Sequence, residues 1–184
     1  DRKGIPIFWA AGNGNESVSL DGYASNPDVI AVAASTSRET KAYYSDFGPE
    51  IWVCAPSNGQ PNQGDKAIFT TDRTGGAGYN TGGAAARGDA AGDYFNGFGG
   101  TSSATPLVAG IAGLMLSVNP NLTARQVRDI LKQTADRIGD ASSYDSSGHS
   151  DYFGYGRVHA LAAVQEAQRL ASGASPGQPS IQGP

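Results

Sequence analysis

Three uninterrupted apolar runs constrain this chain more than any other feature. Residues 5–11 read Ile-Pro-Ile-Phe-Trp-Ala-Ala, residues 29–34 Val-Ile-Ala-Val-Ala-Ala, and residues 51–55 Ile-Trp-Val-Cys-Ala. Gly12-Asn13-Gly14-Asn15 follows the first and Asn26-Pro27-Asp28 precedes the second, so turn signals bound them. Short runs without polar alternation suit strands buried on both faces of a parallel sheet. The expected class is therefore α/β.

The helical signals come later. From Ser102 to about Ser117, apolar residues recur as Ala104, Leu107, Val108, Ile111, Ala112 and Met115. They occupy nearly every side, so this helix is expected to be buried. Asn119-Pro120 stops it. Thr123 and Gln126 have the spacing of a capping box for a second helix with Val127, Ile130 and Leu131 as its stripe, and Gly139 is its expected end. A last helix is expected over about 158–171. Residues 56–100 are rich in Gly, Asn, Asp and Ala. One strand is expected there, at Ala67-Ile68-Phe69-Thr70-Thr71, inside long loops of the kind that are usually functional or mobile. Residues 172–184 read as a flexible tail or linker after a globular portion spanning 1–171.

Composition narrows the function classes. With 39% hydrophobic and 16% charged residues and 26 glycines, the chain is globular and loop-rich. A net charge of -4, with 13 scattered Lys and Arg, leaves no footprint for nucleic acid. No apolar stretch reaches the length that spans a membrane. A single cysteine, Cys54, excludes an internal disulfide and reads as a small core residue. Asn121-Leu122-Thr123 fits a glycosylation pattern, but its residues are accounted for as a helix start.

The most informative stretch is Gly99-Gly100-Thr101-Ser102-Ser103-Ala104-Thr105-Pro106. Glycines let a substrate backbone come close, and the start of a helix offers free N–H groups and the positive end of its dipole to a developing oxyanion. On spacing alone, Ser102 or Ser103 reads first as a helix cap. Likewise, Asn13-Gly14 taken alone is an ordinary turn.

Taken together, these stretches resemble the subtilases. Gly100 to Pro106 matches the family pattern Gly-Thr-Ser-x-Ala-x-Pro, which implies that Ser102 is the nucleophile; Leu107 stands where many members carry His. Ala10-Ala11-Gly12-Asn13-Gly14 resembles the segment whose asparagine completes the oxyanion hole, implying that role for Asn13. Ala10, Ala11, Gly12 and Thr101 are then expected beside the substrate. Tyr44-Ser45-Asp46-Phe47-Gly48, Val53-Cys54-Ala55-Pro56 and Tyr155-Gly156-Arg157-Val158-His159-Ala160 extend the match over about residues 4–170. The resemblance implies the carboxy-terminal portion of a doubly wound, mostly parallel catalytic domain.

Within the family, the finer likeness is to kexin-like and cyanobacterial calcium-dependent, trypsin-like members. They share Gly-Asn-Gly-Asn-Glu, Asp-Gly-Tyr-Ala-Ser and Thr-Thr-Asp-Arg stretches and the long glycine-rich loop. That likeness implies that Asp21 lines a pocket for Arg or Lys, that Glu16 and Asp46 ligate calcium, and that a precursor processes itself. A carboxylate favours basic side chains through charge-assisted hydrogen bonds, although Asp21 also fits a plain Asp-Gly turn. Asp89 and Asp93 have spacing too weak for a second ion.

Half of the machinery is missing. The family's aspartate and histidine precede the oxyanion asparagine in Asp-x-Gly and His-Gly-Thr contexts, and neither occurs here. His149 reads as a loop residue and His159 as a capping residue. A serine without a base is a poor nucleophile. The expected partner is an amino-terminal portion of the same precursor, as a second chain, supplying Asp, His and more of the sheet. A peptide-binding or regulatory module that has lost its base is the rival reading, although such a module needs neither Ser102 nor Asn13.

Overall fold

The computed structural model describes residues 4–60, 63–83 and 87–173, so the expected tail lies outside the described residues from position 174 onward. The three apolar runs become β1 (Phe8–Ala10), β2 (Ile30–Ser35) and β3 (Ile51–Pro56). They form one parallel sheet in the order β1-β2-β3, with Phe8 beside Ile30 and Val32 beside Val53. All six residues of β2 are buried, as a central strand covered on both faces requires.

Alternate residues of β2 and β3 serve two different cores. Ile30, Val32, Ala34, Val53 and Ala55 face a cluster with Val108, Met115, Val127 and Leu131. Ala31, Ala33, Ile51 and Cys54 face Val18, Ile138 and Phe153. Among the described residues, helices therefore cover the first face and irregular segments the second. Cys54 is fully buried, and burial pushes its thiol pKa up to about 12, so it stays protonated and inert.

Helix α1 (Thr101–Val118) lies across all three strands and packs on α3 (Ala160–Ala171). It is long and apolar enough to cross a membrane by length and composition, yet these contacts are those of a core helix. The expectation of burial on every side is corrected: Ser102, Pro106, Gly110, Gly113 and Leu114 are exposed along one flank. Helix α2 (Ala124–Gln133) has the predicted capping box, with the Thr123 hydroxyl accepting from Gln126 N and the Gln126 side chain accepting from Thr123 N. It ends before Gly139, because Asp136 leaves the helix to pair its backbone with Arg157 at 2.8 Å in both directions. His159 caps α3 through its Nδ1, which accepts from Ala162 N at 3.2 Å. His149 sits in a loop, with its Nε2 at 2.7 Å from the Ile51 carbonyl.

The glycine-rich region contains two strands where one was expected. β4 (Ile68–Thr71) pairs antiparallel with β5 (Tyr94–Phe98). The second was hidden because Asn96-Gly97, a turn pair by composition, lies inside it. The connecting loop is organised around the buried Asn80. Its amide donates to the carbonyls of Asp89 and Tyr94 at 2.8 and 2.7 Å and accepts from the N–H groups of Gly82 and Arg87 at 3.0 and 3.1 Å. Strand β5 then runs directly into the glycine turn that opens α1.

Candidate active site

The candidate nucleophile sits at a junction that the backbone can form only with glycine. Gly100 has φ +81° and precedes α1 as its N-cap residue, a conformation costly for side chains with a Cβ. Four side chains fix this turn. The N–H of Gly100 donates to Tyr44 Oη at 3.1 Å and to Asn58 Oδ1 at 3.0 Å. Its carbonyl accepts from Ser57 Oγ at 2.8 Å and from Ser103 Oγ at 3.0 Å. Tyr44 and Asn58 bond each other at 2.7 Å, and Ser57 and Ser103 lie 2.7 Å apart. Burial raises the Tyr44 pKa, so its hydroxyl stays protonated.

The next three backbone N–H groups have different fates. That of Thr101 donates to Asn13 Oδ1 at 2.8 Å, and that of Ser103 returns to the Gly100 carbonyl at 3.0 Å. Among the described residues, the N–H of Ser102 and its exposed Oγ have no hydrogen-bond partner. The Thr101 hydroxyl is buried, lies 3.1 Å from Asn13 Oδ1 and bridges to the Gly12 backbone at 3.3 Å. A backbone N–H can only donate, so the atom facing it must be the amide oxygen of Asn13. The Asn13 NH₂ group is thereby left free. Asn13 Nδ2, the Ser102 N–H and the Ser102 hydroxyl thus all remain without a partner among the described residues, on segments joined through Thr101.

Asp46 shapes the loop that carries Asn13. It is buried, and its Oδ1 accepts from Gly14 N at 2.7 Å and from Glu16 N at 3.0 Å. A Cβ on Gly12, whose φ is +112°, would collide with Asp46 Oδ2. Glu16 is exposed above Gly14. Calcium takes six to eight oxygens, and one oxygen of Asp46 is already committed to backbone donors. Among the described residues, no cluster of three or more His, Cys, Asp or Glu side chains forms. Glu16 and Asp46 could supply at most part of a calcium site. Asp89 and Asp93 also spend Oδ1 on backbone N–H groups, at 2.9 and 2.8 Å.

The remaining predicted residues are placed as follows. Ala10 is half-buried at the end of β1, and Ala11 is fully buried in the second core, so only its backbone can face a ligand. Asp21 accepts with one oxygen from Tyr23 N at 2.8 Å and from Ala24 N at 3.0 Å. This is the Asp-Gly turn geometry, and it holds the carboxylate rigidly while leaving Oδ2 free of those bonds. Tyr23 stacks on Trp9 with ring centroids 4.7 Å apart. A cavity of about 650 Å³ lies under the 72–93 loop, lined by Thr70, Asp72, Tyr79, Arg87, Phe95 and Gly99 among others. The sequence reading did not find Tyr44, Ser57 and Asn58 as supports of the nucleophile turn, because their partner lies more than 40 residues away. Neither histidine bonds Ser102.

A parallel sheet whose strand ends bring a free amide donor to a serine at the start of a buried helix has the architecture of the subtilisin-like serine proteases. A model of the subtilase family matches residues 1–156. The chain is 54% identical over 165 residues to a calcium-dependent protease of Trichormus variabilis, covering 89% of this chain and 25% of that protein. It is 53% identical over the same length to a calcium-dependent protease of a Nostoc species, with the same coverage. In structure it resembles the serine protease of Aeromonas sobria with a TM-score of 0.78 and 25% identity, covering 100% of this chain and 40% of that one. The chain belongs to the subtilase family of serine proteases, and it spans about a quarter of the length of those two calcium-dependent relatives.

Proposed function

We propose that this chain is the serine-bearing portion of an endopeptidase that cleaves after Arg or Lys, and that it acts once an amino-terminal portion supplies Asp and His. The observation that carries the proposal is the 2.8 Å bond from Thr101 N–H to Asn13 Oδ1, because it ties the Asn13 loop to the residue before Ser102 and leaves the Asn13 amide donor unspent. In the reaction, Ser102 Oγ adds to the peptide carbonyl as its proton passes to the supplied histidine. The oxyanion is held by Asn13 Nδ2 and Ser102 N–H; such a donor contributes on the order of 3 kcal/mol. Collapse of the intermediate expels the amine, which takes the proton, and water then releases the acyl group.

Exposed surface supports a second portion. β1 is an edge strand among the described residues; Trp9 within it is 39% exposed, and Ile5 and Ile7 just ahead of it are 84% and 49% exposed. The open flank of α1 adds Leu114 at 54%. An open edge beside an apolar flank is a surface that further strands and a helix would cover. Asp21, with one oxygen anchored and the other free, supports recognition of a basic side chain. The names of the two calcium-dependent relatives support a structural role for calcium, with Glu16 and Asp46 as part of a ligand set completed by the other portion. No chemical step runs through the ion.

The test is reconstitution. The chain is mixed with its amino-terminal portion, with and without calcium, and assayed on peptides that differ only at the residue before the cleaved bond. Cleavage after Arg and Lys by the mixture alone supports the proposal. Full activity from this chain by itself, or indifference to the residue before the bond, refutes it.

A further inference from the structure

We propose that the Arg73–Thr74 bond, in the loop just ahead of the nucleophile strand, is a self-cleavage site at which one assembled copy cuts another. The inference rests on the proposed preference for Arg or Lys. A peptide bond is attacked when its residues are exposed, when its backbone is free of pairing, and when the segment can be drawn out at low cost.

Among the described basic residues outside helices, Arg73 alone is followed by an exposed residue across a bond whose own carbonyl and N–H are unpaired. Residues 73–77 are exposed without interruption. The carbonyl of Arg73 and the N–H of Thr74 make no hydrogen bond among the described residues; the N–H groups on either side are held, that of Arg73 by Asp72 Oδ1 and that of Gly75 by Asp93 Oδ1, both at 2.8 Å. The segment continues through Gly75, Gly76 and Gly78, and glycine adapts to new backbone angles with little strain.

The alternatives are held. Arg87 is exposed, but its carbonyl accepts from Asn96 N at 2.7 Å, its N–H donates to Asn80 Oδ1, and its guanidinium lies on the Phe95 ring. The N–H after Arg38, that of Glu39, donates to the Thr36 carbonyl at 3.2 Å, the N–H after Lys41, that of Ala42, donates to the Ala34 carbonyl at 3.0 Å, and Lys66 is followed by the half-buried Ala67 at the entry to β4. Arg125, Arg128, Lys132 and Arg169 lie in helices. Arg137 precedes the buried Ile138, whose N–H and carbonyl both bond Tyr144 Oη, and Arg157 is paired through its backbone with Asp136.

In the reaction, Ser102 Oγ of one copy adds to the Arg73 carbonyl of another. The C–N bond breaks, the Thr74 nitrogen takes the proton held by the histidine, and water hydrolyses the acyl-enzyme to leave a carboxylate on Arg73. The cut falls between β4 and β5, so it severs one covalent route into the nucleophile turn.

The experiment uses the assembled protein with calcium. Ser102→Ala protein, unable to cut itself, is treated with a trace of trypsin or of the wild-type assembly, and fragments are read by denaturing mass spectrometry and amino-terminal sequencing. The expected first product in both cases begins Thr74-Gly75-Gly76 and is absent when Arg73→Gln is added. A first trypsin cut elsewhere in residues 4–173 overturns the inference on accessibility. A trypsin cut at Arg73 without one by the wild-type assembly overturns it on specificity. A parallel assay on Arg peptides then shows whether the proposed preference fails too.

Discussion

Removing the Tyr44 hydroxyl tests how the nucleophile turn is held. In Tyr44→Phe, the ring keeps its place in the core while the Gly100 N–H loses one of its two acceptors, at 3.1 Å, Asn58 Oδ1 loses one of its donors, at 2.7 Å, and Ser57 Oγ loses a partner at 2.8 Å. A neutral hydrogen bond is worth about 0.5–1.5 kcal/mol net. Gly100 keeps its bond to Asn58 at 3.0 Å, so the turn loosens without opening. The expected loss is about 1–2 kcal/mol of stability and roughly tenfold in kcat, with KM little changed, since 1.4 kcal/mol is about a factor of ten. Asn58→Ala should behave similarly. The double variant should not equal the sum of the two, because it alone leaves the Gly100 N–H without a side-chain acceptor while the Tyr44–Asn58 bond is lost once rather than twice. Steady-state kinetics on the reconstituted protease, with thermal melts of each variant, provide the readout. Wild-type kcat in Tyr44→Phe, or strict additivity in the pair, would refute the idea that this network positions Ser102.

Other expectations follow from the same geometry. Asn13→Leu removes one oxyanion donor and should lower kcat by on the order of 10²–10³, with a much smaller effect on KM; equal changes in both would point to substrate binding instead. Asp21→Asn removes the charge while keeping the turn's acceptor, so cleavage after Arg should fall sharply and the fold should persist; an unchanged preference on matched peptides sinks its role. Backbone N–H donors, with Asn80 N first for Asp72 and Tyr94 N first for Asp89, hold both carboxyl pKa values below the ordinary 3.8. A depressed pKa contributes stability that is full above 3.8 and lost as pH falls through the lower folded value. Amide exchange at Asn80 and Tyr94 should therefore quicken, relative to intrinsic rates, only below that point; a loop that opens near neutrality contradicts this. Thr123→Ala should cost about 1 kcal/mol in a melt by removing the α2 cap.

Much of this architecture could be read from the sequence, for identifiable reasons. The parallel sheet was legible because its strands are buried on both faces and leave unbroken apolar runs. The α2 cap was legible because a capping box is a local code. Where the structure departed, a distant partner decided. Asp136 ends α2 early because Arg157, far along the chain, pairs with it. β5 contains a turn-like Asn96-Gly97 and is a strand because β4 pairs with it. One flank of α1 is open although its sequence is apolar, and no periodicity reports what lies opposite a helix. At the candidate site, the family motifs singled out Ser102 and Asn13. The clamp of Tyr44, Ser57, Asn58 and Ser103 on Gly100 has no motif, since its members come from three separate segments.

On the proposed function, Ser102 becomes a nucleophile only when the other portion supplies its base. The most direct measurement is labelling with a serine-reactive fluorophosphonate, read by mass spectrometry on this chain alone and on the chain mixed with its amino-terminal portion. A single adduct on Ser102 is expected in the mixture and none, or a far slower one, in the isolated chain. Equal labelling of Ser102 in both samples, or labelling of a different residue in the mixture, would contradict it.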